Sequence, residues 1–332
     1  MEKHLLRVTA PPRRMPPRSD ALVSAAPAAP CCGMLTSPLE GLEDEEGARL
    51  PSQLPPVVDA HVHLFPDRVF DAIWRWFGEH GWPVRYQLHA HQVVEFLCSR
   101  GVEHVVGLQY AHKPGMAAAL NAWMAEFAAS ESRLVPLATV LPGEPGANDV
   151  LRRGFEAGLR GVKLHCHVQA FSVDDASMME LYELCVQWNR PLIIHAGREP
   201  KSPAYPVDPH EVCDAERVGR VLDAFPRLKL CVPHLGADEF QEYASLLERY
   251  DGLWLDTTML LADYFPGIDD PSWMLSVRPD RVLYGTDFPN IPYAWDRELK
   301  HILRLGLPEE SLASLLSGNA RELYGAPGLI PG

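Results

Sequence analysis

From Pro55 onward the chain alternates between two hydrophobic rhythms. Short apolar runs rich in β-branched residues are separated by longer stretches with apolar positions at helical spacing. The short runs predict eight strands, at Val57–His63, Val105–Gln109, Leu134–Val140, Gly161–His165, Pro191–His195, Leu228–Val232, Leu253–Asp256 and Arg281–Gly285. The longer stretches predict helices at Val69–Phe77, Gln92–Ser99, Pro114–Ala129, Asn148–Ala157, Asp174–Trp188, Glu211–Ala224, Glu239–Arg249 and Asp270–Ser276, followed by Trp295–Leu305, Glu309–Leu316 and Asn319–Tyr324. Asn319 is placed to N-cap the last of these.

Eight strands, each followed by a helix, over about 270 residues is the pattern of a (β/α)8 barrel. A doubly wound sheet has the same local rhythm, but would usually carry a glycine-rich phosphate loop. The chain has no G-x-G-x-x-G and no G-x-x-x-x-G-K-[ST] segment, so the TIM barrel is the stronger α/β reading. The expected organisation is a single barrel domain over 51–332 behind a leader over 1–50. The first 38 residues hold 7 of the chain's 31 prolines and five basic residues, with no periodic apolar spacing. Such a segment cannot bury enough surface to offset its ordering entropy, and is expected to be disordered. Either a true leader or a start codon set too far upstream of Met34 accounts for it.

Composition narrows the function classes. Among 332 residues, 30 are basic and 44 acidic, a formal net charge of -14. Without a basic stripe, a chain this acidic suits neither nucleic acid nor an anionic membrane surface. No apolar run reaches the roughly 18 residues of a membrane span. The seven cysteines form no C-x-x-C pair, which fits a reducing, cytoplasmic setting and small buried hydrophobes. A small molecule is the expected partner.

The polar residues at the strand ends carry the chemistry. Barrel enzymes take catalytic groups from the C-terminal ends of their strands. Strand one ends in His61-Val62-His63, strand four in Lys163-Leu164-His165-Cys166-His167, and strand five in His195. Strand six runs into His234 and strand eight into Asp287. Residues i and i+2 on a strand share a face, so His61 and His63 can hold one cation in adjacent positions. By the same alternation Lys163, His165 and His167 could all line the mouth, or His167 and Gln169 could be loop residues in water. Each residue alone has an ordinary structural explanation; Asp287, for example, could cap a helix. Five of them at one end of one barrel form a candidate site.

The stretches Val58-Asp59-Ala60-His61-Val62-His63, Pro191-Leu192-Ile193-Ile194-His195-Ala196-Gly197, Val232-Pro233-His234-Leu235-Gly236 and Leu283-Tyr284-Gly285-Thr286-Asp287-Phe288-Pro289 resemble the amidohydrolase superfamily. The likeness is to the amidohydrolase-related branch, which holds aminocarboxymuconate-semialdehyde decarboxylases, resorcylate decarboxylases and pyrone-dicarboxylate lactonases. Gly318-Asn319-Ala320-Arg321-Glu322-Leu323 is also similar to that branch. The resemblance spans about 55 to 326. It implies a divalent metal on His61, His63, His195 and Asp287, zinc first, with manganese or iron as alternatives. It implies an acid/base role for His234, shared in proton transfer with Asp287. A strand-four lysine bridges two metals in binuclear members, so Lys163 leaves a second metal open; a substrate anchor is the other role for it, and one metal is the favoured count.

The expected activity is a metal-dependent hydrolase that opens a C–O or C–N bond of a small carboxylate, lactone or amide through a metal-activated water. The alternative is a non-hydrolytic, metal-dependent decarboxylase of an aromatic or unsaturated acid. Arg198 could clamp a substrate carboxylate or be a surface arginine. The aromatic loops Leu64–Phe70 and Pro289–Trp295 suit a flat ligand or simple packing. Related barrels are often dimers, which makes a homodimer the expected assembly.

Overall fold

The structure is a computed structural model that describes residues 44–198, 202–265 and 268–325. Eight parallel strands occur in chain order: β1 (Val58–His63), β2 (His104–Leu108), β3 (Leu134–Pro136), β4 (Val162–His165), β5 (Leu192–His195), β6 (Leu230–Val232), β7 (Leu253–Asp256) and β8 (Val282–Leu283). They pair as β1-β2-β3 and β4-β5-β6-β7-β8. Two parallel bridges close the ring. Ala138 pairs with Val162 between β3 and β4, and Val62 pairs with Phe288 between β1 and the end of β8. Backbone bonds reinforce both seams, with Ala138 N donating to Gly161 O at 2.8 Å and His63 N to Phe288 O at 2.8 Å. The fold is the TIM barrel that the strand count predicted.

Alternation along the strands sorts the apolar residues into two layers. Val106, Leu108, Val135, Leu137, Ile193, Cys231, Trp254 and Leu283 form a cluster inside the barrel with Val58 and Ala60. Ala320, Leu323 and Tyr324 join that cluster from the last helix. The alternate positions, such as Val105, Leu164, Ile194, Val232 and Leu255, face outward into the larger core beneath the helices. The helices bury stripes of the expected period. Helix Ala90–Ser99 buries Ala90, Val93, Val94 and Leu97, and helix Ala215–Ala224 buries Ala215, Val218, Val221 and Leu222. Asp214 caps the latter by accepting from Arg217 N at 2.6 Å.

Several boundaries differ from expectation, each for a local reason. β8 is two residues long rather than five, and the chain runs on through Tyr284-Gly285-Thr286 to a turn at Asp287, where φ is +69°. Pro271–Ser276 is a 3-10 turn, with Asp270 accepting from Ser272 N at 2.9 Å. Asn319 does not cap. A π turn over Ser314–Gly318 runs directly into helix Asn319–Tyr324. The Asn319 amide instead donates to Pro279 O at 2.7 Å and Val282 O at 2.6 Å, tying the last helix to the base of β8.

Residues 44–50, expected to belong to a leader, pack against the barrel, and residues 1–43 are not among the described residues. Asp44 accepts from Arg297 Nη1 at 2.8 Å, Gly47 O accepts from Trp295 Nε1 at 3.0 Å, and Leu50 N donates to Arg100 O at 2.7 Å. Residues 44–50 form a strap whose acidic side chains Glu46 and Asp44 meet Arg85 and Arg297. Of the cysteines, Cys31 and Cys32 fall outside the described residues, and Cys98, Cys166, Cys185, Cys213 and Cys231 are free thiols. No helix among the described residues is long and apolar enough to cross a membrane.

Removing the Asn319 amide leaves the carbonyls of Pro279 and Val282, at the start of strand eight, without these partners. Asn319→Ala is expected to cost about 1–3 kcal/mol, read as a lower urea midpoint at unchanged slope.

Candidate metal centre

The site begins with an irregularity in β1. The β1–β2 register shifts between Asp59 and Val62. Below the shift, Val58 and Ala60 face the barrel interior. Above it Val62 faces the outer core, and His61 and His63 take the interior positions. A bulge in a strand re-aims side chains in this way. Strict alternation would have sent both histidines outward. Asp59 braces the irregular segment. Its carboxylate accepts from His61 N at 3.2 Å, from Thr286 N at 3.1 Å and from Thr286 Oγ1 at 2.6 Å. Burial pushes this carboxyl up to about 7, working against the Thr286 and His61 bonds. Gly285 makes the seam with β8 close enough. A Cβ there would lie 2.7 Å from His61 Cβ and 2.6 Å from Thr258 Oγ1.

His61, His63 and Asp287 present one donor atom each, all within 4.8 Å of one another, and all three residues are buried. His63 Nε2 lies 3.0 Å from Asp287 Oδ1, and His61 Nε2 lies 3.3 Å from the same oxygen. The other nitrogen of His61 is committed, since Nδ1 donates to Asp256 Oδ2 at 2.8 Å. A carboxylate can only accept in this pair, so the proton sits on Nδ1 and Nε2 keeps its lone pair toward the cluster. Burial and the Lys163 charge hold His61 well below its ordinary range, so the ring is neutral. Burial alone would raise the Asp287 carboxyl, but His63, His61 and His234 bring it well below the usual carboxylate range. Two imidazoles and an ionised carboxylate are a donor set that fits a divalent metal.

Facing this group is a histidine pair from the next strands. His234 Nδ1 lies 2.9 Å from Thr258 O, an acceptor, so it carries the proton. His234 Nε2 is then the acceptor for His195 Nδ1 at 3.2 Å. That chain leaves His195 with an unprotonated Nε2, the form a metal requires. His195 is not within the three-residue cluster but stands with His234, whose ring centroid is 5.7 Å from that of His61. His234 itself has φ +58°, at a turn held by its backbone N donating to Asp256 Oδ1 at 3.2 Å.

Lys163 is fully buried, with Nζ 3.4 Å from His61 Nε2. His165 lies flat on His195, with centroids 4.1 Å apart and planes 9° apart. His167 does not share their strand. β4 stops at His165, and Cys166–Gln169 forms a helical turn, so alternation does not place it. It is buried all the same, 5.0 Å from the His195 ring. Nor does Gln169 sit in water. Its amide accepts from His165 N at 2.8 Å and donates to Ala111 O at 2.8 Å and Val140 O at 2.7 Å, which locks the turn.

Arg198 is placed apart from the cluster, with Nε 3.1 Å from Asp238 Oδ1 and 3.3 Å from Glu239 Oε2. Two acids already meet its charge, as suits a surface arginine. Both aromatic loops send side chains into the core: Phe65, which stacks 6.0 Å from His63 and lies 5.2 Å from Tyr110, is buried there along with Tyr293 and Trp295. Asp256 is the functional residue that sequence reasoning passed over. Its signal was an acid ending the apolar run Leu253-Trp254-Leu255, at the same barrel end as the histidines.

Asp256→Asn places an amide where one carboxylate accepts from both His61 Nδ1 and His234 N. It is expected to weaken divalent-metal affinity about 10–100-fold, measured by competition against a chromophoric chelator. Gly285→Ala forces β1 and β8 apart, and is expected to lose metal in the same assay.

The family model described as Amidohydrolase matches residues 58–326. No curated protein matches the chain significantly. Among solved structures, an uncharacterized TIM-barrel protein from Bordetella bronchiseptica shares 21% identity at a TM-score of 0.64, covering 82% of this chain and 100% of that one. A 5-carboxyvanillate decarboxylase from Novosphingobium aromaticivorans, complexed with manganese, shares 16% identity at 0.59, over 85% of this chain and 98% of that one. A probable 2-pyrone-4,6-dicarboxylic acid hydrolase from Acinetobacter baumannii shares 14% identity at 0.56, over 81% and 99%. At these identities the likeness is one of fold. With the family model spanning the whole barrel and the strand-end residues that the motifs named, the chain belongs to the amidohydrolase family.

Proposed function

We propose that this enzyme is a divalent-metal-dependent hydrolase of a small carboxylate, lactone or amide, with zinc as its metal. One observation carries the reading: His61, His63 and Asp287 converge within 4.8 Å at the barrel mouth, with Asp256 holding the protonation state of His61. His195, through the nitrogen its bond to His234 leaves unprotonated, would complete the ligand set. A divalent cation bound there supplies Lewis-acid polarisation of a carbonyl and draws a nucleophile from water near neutral pH.

The chain's own groups supply the proton handling. His234 keeps its Nδ1 proton on Thr258 O, so a proton from the attacking water would go to Nε2, which would give up its bond from His195 Nδ1 to accept it and would then pass it to the leaving group. The ionised Asp287, on the other flank, assists the same transfer. Lys163, buried beside His61, is positioned to hold a substrate carboxylate, which favours one metal over two. Tyr110, half-buried 5.7 Å from the His63 ring and backed by the buried Phe65, would offer an aromatic wall for the rest of the ligand. The reading also places the enzyme in the cytoplasm, as a homodimer acting on a small molecule.

The aromatic wall supports a second reading, in which the same centre decarboxylates an aromatic or unsaturated acid. The manganese-bound decarboxylase with this fold is consistent with it. A substrate panel of lactones, amides and aromatic acids separates the two. Acid release without carbon dioxide is expected; carbon dioxide release from an aromatic acid would establish the decarboxylase. Protein purified without chelator is expected to hold about one divalent ion per chain. The double variant His61→Ala, His63→Ala should lose both metal and activity, and its retaining them would sink the assignment.

A further inference from the structure

In a ring of eight strands taken in chain order, β5 lies across the opening from β1. Contact between the segments that follow these two strands therefore crosses the mouth above the site. Such a contact exists. Helix Asp67–His80 starts just past β1 and precedes helix Ala90–Ser99, so it is additional to the ring of barrel helices. Its Trp76 ring lies 6.0 Å from the ring of Tyr205, which sits in the segment after β5. Tyr205 in turn meets His167 edge-on at 5.4 Å, and His167 is 5.0 Å from His195.

The near end of the helix is anchored on the opposite half of the site. Phe70 packs edge-on against Phe65 at 5.6 Å, and Phe65 stacks over His63. Beyond the helix, Trp82 Nε1 donates to Asn290 O at 2.7 Å in the segment after β8, and its ring lies 6.0 Å from Phe265 in the segment after β7. Aromatic contacts thus join His63 to the near end of the helix, and join Trp76 farther along it, through Tyr205 and His167, to His195. The helix is tied on three sides of the opening.

We propose that helix 67–80, closed by the contact of Trp76 with Tyr205, is a roof over the metal centre, and that these two residues limit the size of what reaches it. The proposal rests on the reading of His61, His63 and Asp287 as metal ligands. A roof of this kind keeps bulk water from the reaction and lets substrates pass only through the gap that its contacts leave. Trp76 meets Tyr205, and Tyr205 meets His167, so the effect is expected on access rather than on metal affinity.

The test is the rate at which EDTA strips zinc from the zinc-loaded protein, beside the equilibrium zinc affinity. Trp76→Ala and Tyr205→Ala are expected to speed removal about threefold to tenfold, the range that loss of one aromatic contact gives, with affinity unchanged. Trp76→Phe should restore the slow rate, and Arg75→Ala, an exposed position on the same helix, should leave it at the wild-type value. Wild-type rates in both alanine variants would overturn the roof, as would affinity falling in step with the rate. If wild-type protein binds no zinc, or if His61→Ala binds it equally well, the metal reading itself fails.

Discussion

The register shift between Asp59 and Val62 decides which side chains of β1 enter the barrel, and the metal centre depends on that decision. A small barrel has an interior filled by side chains, so inward positions are few and alternate strictly on a regular strand. β1 uses the lower ones for Val58 and Ala60, which pack with Leu283 and Trp254. Regular pairing would then leave the upper ones to Val62. The extra residue turns Val62 out and both histidines in. Its upkeep falls to neighbours: Asp59 bonds across to Thr286, and Gly285 lets β8 approach to a distance no side chain would permit.

Placing so many polar groups in one interior carries a desolvation cost, met by pairing them in a fixed order. Asp256 accepts from His61 with one oxygen and from the His234 backbone with the other. Thr258 O fixes the proton of His234, which fixes that of His195. Each protonation state follows from an acceptor that cannot itself donate. The result is a group of imidazoles gathered at one region, with an ionised Asp287 among them. The chain's net charge of -14 has little bearing on this, because the site's field is set by groups within a few ångströms and screened from solvent by burial.

The outer parts of the molecule serve the same geometry. The strap at 44–50 holds the segment around Trp295 and Arg297, and Asn319 ties the last helix to β8. Between them they hold the two ends of the segment from β8 to Arg297, which carries Asp287. The positive φ of Asp287 and of His234 marks turns where the chain leaves its strand to present a side chain inward. Such turns persist because the surrounding bonds over-determine them.

Much of this was legible in the linear sequence. Alternating rhythms of period two and 3.6 mark eight strands and their helices, since burial on one face of a strand or helix demands those spacings. The order of His61, His63, His195, His234 and Asp287 at strand ends followed from the same rhythm, because strand ends in a barrel share one mouth. What the rhythm could not reveal were contacts between residues far apart in the chain. Asp256 is an ordinary acid until the ring closes and sets it 2.8 Å from His61, 195 positions away. His167 reaches the site through a helical turn that ends the strand pattern, and Arg198 is drawn to acids whose nearness only folding created. The inward facing of His61 and His63 belongs to the same class. Local spacing puts them on one face of β1, but a bulge, held by residues from β8, decides which face that is.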